Sequence, residues 1–113
     1  NQHPLGAGLG NYAAATGNDM GPRNPITAHN LYLDLLVETG ILGLAAFVAL
    51  LAFTAYSALR QYATTKSAAY LGVHGALAGF LAHAFFENPL YAPAIFALLL
   101  CGIAVSMHGI AAD

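Results

Sequence analysis

The chain has 113 residues, of which 58% are hydrophobic and only 7% charged, far below the roughly 25% charge of a soluble domain. A formal net charge of -2 leaves no basic footprint for nucleic acid. The single cysteine, Cys101, excludes an internal disulfide or a cysteine-based metal site.

The chain opens at Asn1 rather than at methionine and stops at Asp113, so it is expected to be the C-terminal piece of a longer membrane protein. Residues 1–28 are dense in Gly, Pro, Asn and Asp, the residues that favour turns. Pro4, Pro22 and Pro25 prevent a long helix at either end, leaving room for a short one over Leu9 to Thr16. This stretch reads as a loop outside the membrane.

The character changes at His29. From Asn30 to Leu59 there is no proline, and Asn30 suits an N-cap because its side chain can accept from the free N–H groups of a first helical turn. Asn30, Asp34 and Glu38 recur every four residues and share one face, with Leu31 and Leu35 on another. After Gly40 the chain reads ILGLAAFVALLAFTAYSAL without a charge. A crossing needs about 20 apolar residues, so a span is expected over 40–59, its polar first turns standing at or above the membrane surface. RQYATTKS, residues 60–67, holds Arg60 and Lys66 and reads as a short cytoplasmic loop by the positive-inside tendency.

A second span is expected over 68–86, with Gly75 and Gly79 presenting small residues to a neighbouring helix. ENPLYAP is a tight reversal around Pro89 and Pro93, and a third span follows over 94–110. Tyr32 and Tyr91 fall near the outer edge and Tyr62 and Tyr70 near the inner one, as in an aromatic belt. The fold class is therefore all-α: three transmembrane helices, residues 29–113, preceded by an extracytoplasmic loop.

Few residues can carry chemistry. His29 stands where the polar loop meets a membrane helix. Its imidazole can act as a base near neutral pH, or it can simply pack at the helix start. Asp34 and Glu38 either face water or orient His29 or a substrate, since carboxylates near a membrane helix are costly. Arg23, the one basic residue expected outside, can hold a phosphate oxygen or be merely solvated. His74 and His83 lie within the second span, and His83 and Glu87 have the i, i+4 spacing of a helical pair. His3 and His108 have no partner at an informative spacing. GAGLG at Gly6 to Gly10 lacks both the spacing and the preceding strand of a dinucleotide loop.

HPLGAGLGNY, followed some twenty residues later by AHNLYLDLLVETGILGL, resembles the O-antigen ligase and O-antigen polymerase superfamily, which includes bacterial protein O-oligosaccharyltransferases. Pro4, Gly6, Gly8, Gly10, His29, Asn30, Tyr32, Glu38, Gly40 and Gly43 carry the resemblance, with HAFFENPLYAP looking like the turn between the family's last spans. It implies a membrane glycosyltransferase of the bacterial cytoplasmic membrane, with the N-terminal loop periplasmic and the C-terminus cytoplasmic. The implied reaction moves a glycan from a polyprenyl-diphosphate carrier to a hydroxyl on a glycan, lipid or protein acceptor, with inversion and without a metal or other cofactor. His29 would act on the acceptor hydroxyl; by their own positions, Asn30, Glu38 and Arg23 are expected to bind or orient substrate. The family's diphosphate-binding arginines lie mostly in earlier spans, and Arg23 maps onto none of them. A polymerase, whose acceptor is another carrier-linked glycan, is the nearest alternative. A non-catalytic transport module with His74 at mid-span is the alternative from another class.

Overall fold

In a computed structural model, residues 5–17 and 28–108 are described. Every regular element among them is helical: α1 Tyr12–Ala15, α2 Leu31–Thr65, α3 Ala68–His83, a 3-10 turn at Pro89–Tyr91, and α4 Pro93–His108. The all-α expectation holds. Arg23, His3 and Pro4 lie outside the described residues, as do positions 109–110 of the expected third span.

Helix α2 begins as its sequence requires. Asn30 has an extended backbone, and its side-chain oxygen accepts from the Leu33 N–H at 3.1 Å. The next free donor, the Leu31 N–H, bonds the Ala84 carbonyl at 2.9 Å. The start of α2 and the end of α3 thus satisfy each other's orphan groups. Tyr32 adds a hydroxyl bond to the Leu81 carbonyl at 3.1 Å and a tilted ring contact with Phe85 at 4.9 Å.

The helix kinks at Gly40, whose φ of 71° and ψ of -174° are not helical. This backbone is accessible to glycine without the steric cost a side chain would bring. The break interrupts the i to i+4 ladder, and the N-terminal loop takes it over: the Ala7 and Gly8 N–H groups donate to the carbonyls of Val37 and Glu38, each at 2.8 Å. Gly6 lies so close that a Cβ there would collide with the Glu38 carbonyl and the Gly40 nitrogen. The loop is a strap across the kink.

Beyond the kink α2 continues to Thr65, so residues 60–65 are helix and not the loop their charge suggested. No glycine or proline interrupts them. The chain turns only at Lys66, in the left-handed region at φ 56°, with its N–H on the Tyr62 carbonyl, and Ser67 caps α3. This two-residue connection makes α2 and α3 antiparallel neighbours.

Helix α3 buries Val73, Leu77 and Phe80, with Ala84 just past its end, against Leu51, Ala58 and Leu99. Gly75 and Gly79 are exposed, with nothing within 4 Å of where a Cβ would stand. The expected helix contact at this glycine pair is not made among the described residues. Gly75 follows Val73 by two residues, and at about 100° per residue that is the opposite side of the helix. The glycine that faces a neighbouring helix is instead Gly102 of α4, where a Cβ would stand 4.0 Å from the Val73 side chain.

One helix, Leu31–Thr65, is long and apolar enough to cross a membrane, and α4 is apolar but shorter. At 16 residues each, α3 and α4 extend roughly 24 Å, short of a hydrocarbon core of about 30 Å. The apolar stretch of α2 is only 17% buried, and Leu42, Phe53, Leu59, Leu71 and Leu98 point outward. A surface of this kind suits hydrocarbon better than water. Deep in the bundle, the Thr54 and Ser106 hydroxyls return to carbonyls of their own helices, at Leu50 and Gly102, so these buried polar groups are satisfied locally.

Candidate functional site at the loop-to-helix junction

The functional candidates gather where the strap, the start of α2 and the reversal after α3 meet. His29 is exposed and takes a left-handed backbone at φ 48°, uncommon for a residue with a side chain. Its neighbours hold it there. The Ala28 N–H donates to the Asp34 carboxylate at 2.8 Å, and Asn30 is fixed as the cap of α2. The chain therefore turns sharply at His29 and carries its imidazole outward.

Asp34 is the hub. It is 2% exposed, and such a carboxylate is stable only with good partners. Its second oxygen accepts from the Asn88 side-chain amide at 2.8 Å, while Asn88 uses its own oxygen to hold the Leu90 N–H at 3.3 Å. Asn30 reaches the same segment, donating to the Phe85 carbonyl at 3.2 Å. These bonds clamp the 84–91 reversal to the start of α2. The clamp brings the Glu87 carboxylate to 3.6 Å from His29 Nδ1. Both side chains are more than half exposed. A solvated pair of this kind adds about 0–1 kcal/mol of stability, so its effect is on the orientation of the imidazole.

This pairing replaces the one the spacing suggested. His83 and Glu87 are four residues apart, but α3 ends at His83 and the chain turns, so Glu87 faces His29 instead. Glu38, one turn below Asp34, is 6% exposed. Asp34 and Glu38 are thus buried under the strap and the reversal and do not face water. Tyr91 is exposed at the rim. Burial, then the charges of Glu38 and Asp34, hold its phenol above the ordinary range, so the tyrosine stands within electrostatic reach of both carboxylates. Burial likewise raises Tyr32.

The remaining candidates lie elsewhere. His74 is half-buried and bonds its own helix through the Tyr70 carbonyl at 2.8 Å; His83 and His108 are exposed. Among the described residues no three His, Cys, Asp or Glu side chains converge as a metal ion would require. Sequence spacing missed Glu87 as the partner of His29, Asn88 as the partner of Asp34, and Tyr91. The signal available was ENPLY itself, a turn rich in polar side chains between two apolar runs. No protein-family model, no curated protein and no solved structure matches the chain.

Proposed function

We propose that this chain is the C-terminal membrane part of an O-antigen ligase-like glycosyltransferase of the bacterial cytoplasmic membrane. The observation that carries the reading is the His29–Glu87 pair at 3.6 Å, exposed at the junction of loop and membrane helix. A lipid-linked donor and a water-soluble acceptor can meet only at such a junction. In this reading α2 beyond Gly40, α3 and α4 are three crossings. The strap and reversal face the periplasm, and Arg60 and Lys66 face the cytoplasm.

The chemistry asks little of the protein beyond placement and one proton transfer, because a sugar diphosphate is already activated. Glu87 beside Nδ1 favours the tautomer with its proton there and the basic lone pair on Nε2. His29 takes the proton of the acceptor hydroxyl as that oxygen bonds the anomeric carbon. The carbon–oxygen bond to the diphosphate breaks on the opposite face, and the diphosphate leaves with the electron pair. Glu87 stabilises the imidazolium that forms. The resemblance assigns the cations for the leaving group to arginines of earlier spans, so these residues alone do not complete the site.

A polymerase would use the same chemistry with a carrier-linked glycan as acceptor. A transport module has thinner support, because His74 ties one ring nitrogen, Nδ1, to its own helix. The test is glycan transfer by the full-length protein in membranes at matched protein levels. His29→Ala should insert and express normally and lose about 10²- to 10⁴-fold in rate, the usual contribution of a positioned base. Near-normal transfer would remove the mechanism.

A further inference from the structure

The candidate site is acidic. Asp34 touches Asn88, the neighbour of Glu87, and Glu38 lies one turn from Asp34 on the same face. The lysine and arginine among the described residues, Lys66 and Arg60, stand at the far end of α2, with Arg60 roughly 30 Å from Glu38 along the helix. A diphosphate brought to this place meets carboxylates and no cation among the described residues, and like charges at such range repel.

Glu38 differs from Asp34. Both Asp34 oxygens are engaged. Glu38 as a residue is 6% exposed and no described residue donates a hydrogen bond to its carboxylate, whose oxygens are not among the fully enclosed unpartnered atoms and so keep a narrow opening to the outside. A carboxylate this buried is costly until a donor reaches it. The strap fixes its backbone through the Gly8 N–H. Tyr91 offers an exposed aromatic face in the turn that Asn88 caps, and Asn88 is bonded to Asp34.

Resting on the transferase reading, we infer that Glu38 receives hydroxyl groups of the glycan, with Tyr91 as the adjoining platform, and that this rim holds the sugar side of the substrates while the diphosphate is held elsewhere. A sugar hydroxyl supplies the missing donor, and a hydroxyl–carboxylate bond is among the stronger hydrogen bonds available. The apolar C–H face of a pyranose suits a tyrosine ring whose polar end remains wet.

The experiment uses the full-length protein carrying His29→Ala, so that turnover does not contribute. The probe is the cell's own glycan, released from its carrier by mild acid and labelled at the reducing end; inorganic pyrophosphate is the anion probe. Glu38→Gln keeps the shape and removes the charge. It should weaken glycan binding about ten-fold or more and leave pyrophosphate binding unchanged. Tyr91→Ala, at an exposed position where folding is not at stake, should weaken glycan binding about three-fold or more. Glycan affinity unchanged in both variants overturns the inference, as does a ten-fold tightening of pyrophosphate in Glu38→Gln. Failure of the transferase reading shows separately, as normal transfer by the single His29→Ala variant in membranes.

Discussion

The side-chain amide of Asn88 donates to the buried carboxylate of Asp34 at 2.8 Å, joining residues 54 apart in the chain. This bond, with the Ala28 N–H on the other oxygen, places Glu87 beside His29. A hydrogen bond to a charged group contributes about 1.5–3 kcal/mol. Asn88→Ala should therefore lower thermal stability in detergent by about that amount and reduce transfer, because the reversal is released from α2. Asp34→Asn should cost as much or more. A double-mutant cycle on the pair should show coupling of about 1 kcal/mol or greater; additive effects would mean the bond does not organise the site.

In the proposed mechanism Glu87 acts through His29. Glu87→Gln should leave stability within about 0.5 kcal/mol, as for a surface substitution, yet lower kcat about ten-fold, because the imidazolium formed during proton transfer loses its carboxylate neighbour. Steady-state kinetics with varied acceptor should show the loss in kcat and not in KM. Unchanged kcat would leave the pair without a catalytic part.

The strap should be intolerant of a single methyl group. Gly6→Ala meets the Glu38 carbonyl and the Gly40 nitrogen while also straining a φ of 78°. The strain alone costs about 1–3 kcal/mol, and the collision adds to it. Gly10→Ala has a similar φ of 74° with open space around it, so it isolates the strain. Thermal unfolding should therefore rank Gly6→Ala well below Gly10→Ala; equal losses would show that the strap does not press on the kink.

The exposed glycines of α3 should accept a side chain. With nothing within 4 Å, Gly75→Ala and Gly79→Ala should leave stability unchanged or raise it by up to about 1 kcal/mol through helix propensity. A clear fall in melting temperature in the full-length protein would reveal another helix seated on this face.

Orientation can be read at Thr64, which is exposed in the last turn of α2. A cysteine placed there in the full-length protein should resist an impermeant thiol reagent added from outside and react once the membrane is opened. Ready labelling from outside would invert the proposed topology.

The helices were legible because their signals are local. Asn30 announces a cap, the uncharged run after Gly40 announces a long apolar helix, and Pro89 and Pro93 announce a reversal. Their lengths were less legible. Residues 60–65 read as a loop because they carry charge and polarity, yet nothing in them breaks a helix, and α2 continues. Residues 84–86 read as span because they are apolar, yet the chain there is already turning to deliver its carbonyls to the start of α2.

By itself the sequence determined an all-helical chain with an exposed apolar surface, and it marked His29, Asn30 and Glu38 as residues at a boundary, since composition, capping and periodicity depend on neighbours within a few turns. It did not determine who faces whom. Only the tertiary structure decided that Glu87 meets His29 and not His83, that Asn88 holds Asp34, and that Gly6 presses on the break at Gly40. Those choices follow from where α3 ends and how the reversal docks on α2. That docking is fixed by buried donors and acceptors finding partners more than fifty residues away, a condition no local spacing encodes.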